Sequence, residues 1–175
     1  DKLLLNVIGL VKLSCFAGII DGEGCITIYP IRNFMRGILQ ITNTNLAILK
    51  ECQSIIYGIT NRKCKMDLQK NYPANKQSCY RIQIIKHLDL QKIISAILPY
   101  LVGKKLQAEL LLKFVNIRLS ITRHSRYGIK GGQFKPYSNG EQLLYLSICK
   151  LNHPLKCVET IRQTFKKYSF LNEDI

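Results

Sequence analysis

Apolar and polar positions alternate from residue 24 to 31: Ile26 and Ile28 fall on one side, Cys25, Thr27 and Tyr29 on the other. A period of two is the signature of a half-buried strand. The stretch before it, residues 11–21, carries no helix breaker until Gly22 and reads as a short helix. Asn33 to Gly37 reads as a turn, and residues 38–43 alternate again, with Leu39 and Ile41 opposite Ile38, Gln40 and Thr42. Asn43-Thr44-Asn45 then offers a helix cap, followed by a stripe of Leu46, Leu49, Ile55 and Ile56 that ends at Gly58. A second round follows: a strand over 59–68, a turn from Asn71 to Lys76, and a strand over 78–86 with Tyr80, Ile82 and Ile84 on one face. Asp89 opens a helix that ends near Pro99. Lys104 to Ile121 reads as a longer helix with Leu106, Leu110, Phe114, Ile117 and Ile121 along one side. Two further helices are expected, over 139–151 and 154–169.

Helix, two strands, helix, two strands, helix, helix predicts an α+β fold: a four-stranded, largely antiparallel sheet with helices on one face. The expected organisation is a core over 1–121, a basic Gly-rich loop over 122–138, and a C-terminal helical extension over 139–175.

Charge changes the picture. Lys and Arg number 26 against 11 Asp and Glu, a formal net charge of +15 in 175 residues. Such an excess points to a polyanionic partner, nucleic acid first and an anionic membrane surface second. The apolar runs, such as Ile93 to Val102, are too short and interrupted to span a bilayer. Leu3 to Leu13 lacks the basic leader and small-residue cleavage site of a signal peptide and is assigned to the folded domain. The apolar periods point into a core rather than along a one-sided amphipathic helix, which argues against a membrane-surface protein. The 7 cysteines show no CxxC pair, and the 3 histidines complete no zinc pattern, so reduced thiols, most of them buried, in an intracellular protein are expected. Frequent Lys, Ile, Asn and Leu hint at an AT-rich genome, organellar or microbial.

The strand positions opposite the core carry Thr27, Tyr29, Arg36 and Gln40 in the first pair, with Arg32 in the turn between its strands. The second pair carries Asn61, Lys63, Lys65 and Asp67, then Arg81 and Gln83. A solvated sheet face is normally mixed polar. Here acids are few, and the residue types are those that read base edges and phosphates. The loop adds Arg123, Arg126, Lys130 and Lys135 with interleaved Tyr127, Phe134 and Tyr137, which suits either phosphate contacts or plain solvation.

Residues 16–24 read Phe16-Ala17-Gly18-Ile19-Ile20-Asp21-Gly22-Glu23-Gly24. This resembles the nine-residue signature of the LAGLIDADG homing endonucleases, single-motif type. Phe16 replaces the first Leu, Gly22 the second-last small residue and Glu23 the second Asp. With the element order behind it, the resemblance covers residues 10–121 and, more weakly, the tail. Ser14, Gly18 and Gly22 recur every four residues and line one helix face, where small side chains let two helix backbones approach closely. With one motif per chain, the second such helix comes from another subunit, so a two-fold homodimer is expected. Its axis would bring two Glu23 carboxylates together, and paired oxygen ligands call for a hard cation, Mg²⁺, with Mn²⁺ or Ca²⁺ able to substitute in binding.

The resemblance implies an intron-encoded (group I) homing endonuclease that binds a long, nearly palindromic double-stranded DNA site and hydrolyses one phosphodiester in each strand. Glu23 and the Gly22 carbonyl would hold metal, and Lys104, before Gln107-Ala108, would stabilise charge on the phosphate. Asn43 would orient water, and Asp21 would chiefly support the interface helices with a minor catalytic part. The competing reading on the same fold is a non-cleaving RNA maturase or DNA-binding regulator, which a test of metal dependence separates.

Overall fold

The computed structural model describes residues 2–31, 34–69, 78–124 and 138–153, with side chains for all of these except 2–8, 31, 34 and 122–124. The elements are α1 (Lys2–Glu23), β1 (Gly24–Ile31), β2 (Phe34–Asn43), α2 (Leu46–Thr60), β3 (Met66–Gln69), β4 (Cys79–Ile84), α3 (His87–Ile97), a 3-10 turn (Leu98–Tyr100), α4 (Lys105–His124) and α5 (Asn139–Asn152). The sheet order is β1-β2-β4-β3 and every pairing is antiparallel. The α+β expectation of an antiparallel sheet backed by helices holds. Among the described residues no helix is long and apolar enough to cross a membrane.

One core lies between the sheet and the helices. Phe16, Ala17 and Ile20 of α1 meet Ile26 and Ile28 of β1, Leu39 and Ile41 of β2, and Ile82 and Ile84 of β4. Leu49, Cys52 and Ile56 of α2 and Leu90, Ile93, Ile94 and Ile97 of α3 close it from above. Burying each large aliphatic or aromatic side chain contributes about 1.5–3 kcal/mol, which drives the layers together. The last glycine of the 16–24 motif is needed at the helix–strand junction. A Cβ on Gly24 would stand 2.6 Å from the Ile20 carbonyl oxygen and 2.9 Å from Ile20 Cα, both backbone atoms of α1.

Several boundaries differ from the sequence reading. The first helix starts at Lys2, well before residue 11. The expected turn from Asn33 to Gly37 is strand from Phe34 onward, with Arg36 paired to Tyr29 and Gly37 to Ile28. Gly37 serves packing rather than turning, since a Cβ there would meet Leu111 Cδ1 at 2.6 Å. Helix α2 passes Gly58 and stops at Thr60, where Asn61 adopts a left-handed φ of 55° and donates its amide to the Tyr57 carbonyl. The strand expected over 59–68 is therefore only Met66–Gln69, and Asn61 and Lys63 lie off the sheet. Helix α3 begins at His87, with Asp89 in its first turn. The turn expected from Asn71 to Lys76 and the helix over 154–169 fall outside the described residues.

On α4 the buried face is Ala108, Leu111, Phe114 and Val115, with Arg118 7% exposed, while Leu106 is 59% exposed. The expected stripe through Leu106 was rotated because Arg118 sits on the inward face. Its Nε lies 2.6 Å from Glu141 Oε1 on α5, and Glu141 is fully buried. Glu141 also closes a capping box with Ser138 at the start of α5. Tyr145 and Ile148 of α5 join the core, and Asn152 Nδ2 donates to the Ile26 carbonyl at 2.9 Å, tying α5 to the edge strand β1. The expected buried cysteines are only partly so: Cys52 and Cys79 are buried, whereas Cys15 and Cys25 are exposed.

Candidate active site and nucleic-acid interface

Helix α1 has two unlike faces. Phe16, Ala17 and Ile20 point into the core, while Ser14, Cys15, Gly18 and Gly22 are exposed, with Leu10 52% and Val11 55% exposed beside them. A Cβ at Gly18 or Gly22 would meet nothing within 4 Å. The outer face is thus a smooth strip of small and apolar positions, exposed along a helix that is otherwise a core element.

Glu23 ends this helix. Its side chain is exposed, and no hydrogen bond or ion pair with a described residue engages the carboxylate. Two residues earlier, Asp21 is fully employed: Oδ2 accepts from Val102 N at 2.8 Å and Oδ1 from Lys104 N at 2.8 Å. Burial pushes the Asp21 carboxyl up, but the backbone amides of Val102, Lys104 and Gly103 and the Lys104 charge together outweigh it and hold it below its ordinary value. Asp21 therefore pins the start of α4 to the end of α1.

Lys104 completes this joint. Its ammonium donates to the Ile20 carbonyl at 2.9 Å and the Asp21 carbonyl at 2.5 Å. These are two of the last four carbonyls of α1, which have no partner within the helix and form the negative end of its dipole. Although the Cys25 residue is exposed by surface area, neighbouring atoms partly desolvate its thiol and push it up, and the Lys104 charge opposes that shift. Lys104 and Glu23 are thus both at the C-terminal end of α1. A cleft of about 430 Å³ opens beside Lys104, lined by Gly24, Cys25, Thr27 and Tyr29 and, across it, Tyr145, Cys149, Asn152 and His153. Asn152 and His153 carry no periodic or motif signal in the sequence and were not anticipated.

The oxygen atoms left free suit a hard cation. Lys104 occupies the Ile20 and Asp21 carbonyls, and no hydrogen bond outside the regular elements takes the Gly22 carbonyl among the described residues. The Glu23 carboxylate and the Gly22 carbonyl thus belong to adjacent residues at the end of α1 and have no such partner among the described residues. Among the described residues no group of 3 or more His, Cys, Asp or Glu side chains could hold a metal.

Asn43 is placed differently. Its Oδ1 accepts from Asn45 N at 2.7 Å, which shapes the turn into α2, and strand alternation sets it on the side of Leu39 and Ile41. No hydrogen bond connects it to Glu23 or Lys104. The open sheet face carries Thr27, Tyr29, Arg36, Gln40, Arg81 and Gln83, as the alternation predicted. Ile38 shares that face, yet is 3% exposed and stands outside the main core. Lys65 precedes β3 and pairs with Asp67 at 2.8 Å. Arg62 and Lys86, missed in the sequence reading, join Lys63 and Lys65 around a depression at the end of β4. Arg123 lies in the last turn of α4 rather than in a loop, while Arg32, Arg126, Lys130 and Lys135 fall outside the described residues.

An antiparallel sheet in the order β1-β2-β4-β3, backed by helices and entered from a helix ending in the 16–24 motif, is the LAGLIDADG homing endonuclease fold. The solved structures agree. The homing endonuclease I-CvuI, solved in complex with its target in the presence of calcium, superposes at a TM-score of 0.62 with 19% identity over 95% of this chain and 99% of that one. The archaeal intron-encoded homing endonuclease I-Vdi141I, solved with DNA, gives 0.64 with 14% identity over 92% of this chain and 98% of that one. I-SmaMI, bound to an uncleaved DNA target with calcium ions, gives 0.58 with 17% identity over 89% of this chain but only 49% of its own. No family model matches the chain, and no curated protein matches it by sequence.

Proposed function

We propose that the chain is a site-specific DNA endonuclease, intron-encoded, acting as a homodimer with divalent metal ions, Mg²⁺ first among them. The observation that carries this reading is the exposed strip of α1 ending in Glu23, whose exposed carboxylate has no partner among the described residues. Packing two α1 strips about a two-fold axis covers the strip and brings the second acid, Glu23 of the partner subunit. This chain spans about half of I-SmaMI, which was solved bound to an uncleaved DNA target, and that ratio of lengths supports two copies acting together.

Each group then has a task. The two sheets together offer a basic saddle, and its Arg, Lys and Gln side chains contact phosphates and base edges. Glu23 and the Gly22 carbonyl would hold the metal, which would supply Lewis acidity for water activation and charge neutralisation at the scissile phosphate. Lys104, fixed by α1's carbonyls, sets a positive charge near that phosphate. Asp21 positions Lys104 through the backbone. Asn43, one turn from α2, is assigned to water placement only through the family resemblance. The test is Glu23→Gln, which removes charge but not volume: cutting is lost while DNA affinity stays within about tenfold. A Glu23→Gln protein that cuts normally would sink the assignment.

A further inference from the structure

Three residues on the open sheet face are locked in a chain of hydrogen bonds. Gln83 Nε2 donates to Gln40 Oε1 at 3.3 Å, and Gln40 Nε2 donates to Thr42 Oγ1 at 3.3 Å. No other described residue bonds to the Gln83 carboxamide. A carboxamide offers two lone pairs and two N–H groups. Gln83 therefore keeps a free oxygen acceptor and one free N–H, held in a fixed orientation by Gln40. That acceptor–donor pair complements the major-groove edge of adenine, which offers an N6 donor and an N7 acceptor.

Arg81 stands two residues away on the same face of β4, between Thr42 and Asp67 in the strand register. Its natural partner is taken, because Asp67 pairs with Lys65 at 2.8 Å. Arg81 makes no hydrogen bond or ion pair among the described residues, and its Nε is buried without a partner. The shielded Nε leaves the two terminal nitrogens as the outward fork, the geometry that takes guanine O6 and N7.

We infer that Gln83 and Arg81 are specificity-determining residues of the DNA site, Gln83 reading adenine with Gln40 as its positioning residue and Arg81 reading guanine. The inference rests on the endonuclease reading above. Residues two apart on a strand are about 6.6–6.8 Å apart. A base-pair step is about 3.4 Å. A strand lying along the groove thus puts the adenine and the guanine two steps apart in each half-site.

The test is selection by binding, in EDTA, from a randomised double-stranded DNA pool, so that cleavage plays no part. The wild-type protein is expected to enrich half-sites with adenine and guanine two steps apart. Gln83→Ala should relax the adenine position alone, by roughly tenfold to a hundredfold. Arg81→Ala should do the same at the guanine position alone. Gln40→Leu should weaken the adenine preference by less and leave every other position untouched. Enriched sites without this pair, or variants that weaken all sequences equally, would overturn the inference and leave the endonuclease reading standing. A wild-type protein with no sequence preference would overturn both.

Discussion

Replacing Asp21 with Asn separates its structural part from any direct chemistry. In the native protein two backbone amides, Val102 N and Lys104 N, each donate to a carboxylate oxygen at 2.8 Å. Hydrogen bonds to a charged group contribute about 1.5–3 kcal/mol each. Asparagine keeps one oxygen, now neutral, and turns an NH₂ toward the other amide. Partial solvent access reduces the loss, so about 2 kcal/mol at neutral pH is expected. The loss also has a pH signature. The folded carboxyl is held below its ordinary value of 3.8 by those amides and the Lys104 charge, against burial. A depressed carboxyl contributes stability that is present above the unfolded value and lost as pH falls through the folded one. Urea denaturation of wild type and Asp21→Asn should therefore differ by about 2 kcal/mol at pH near 7 and converge as pH drops below about 4. A difference under about 0.5 kcal/mol at neutral pH, or one independent of pH, would refute the joint described for α1 and α4.

Other consequences follow from the same geometry. Removing one member of the buried Arg118–Glu141 pair, as in Arg118→Met, should cost about 3–5 kcal/mol, and Arg118→Met with Glu141→Leu should recover most of it, read by denaturation midpoints. Gly18→Leu meets open space within the chain, so the fold should survive while sedimentation shows a monomer; a normal dimer would move the interface off α1. Affinity for the selected site should fall with log salt by roughly 0.9 per phosphate neutralised, and a flat response would deny the basic face its role.

The legible parts of this fold were those in which one residue's surroundings are local. The alternation of Ile26 and Ile28 or of Ile82 and Ile84 records burial on one sheet face, so those strands were read correctly. Punctuation was less reliable. Gly58 and Gly37 read from sequence as a stop and a turn, yet one sits inside α2 and the other makes room for Leu111. Asn61 stops α2 instead, and nothing short of its φ reveals that. The inward-facing Arg118 hid the true stripe of α4 because its partner Glu141 lies beyond a long intervening segment. In the candidate site, Glu23, Asp21 and Lys104 are assigned through the motif and its resemblance. What could not be read was that Lys104 is clamped on α1's carbonyls, or that Gln40 and Gln83 are joined, since both depend on how distant elements meet.

The central claim is tested most directly by incubating the protein with a DNA library of candidate insertion sites, once with Mg²⁺ and once with EDTA. The account predicts double-strand cleavage at one site, in Mg²⁺ only. Tight, salt-sensitive binding without cleavage in any divalent metal would contradict it and turn the molecule into a binder or maturase.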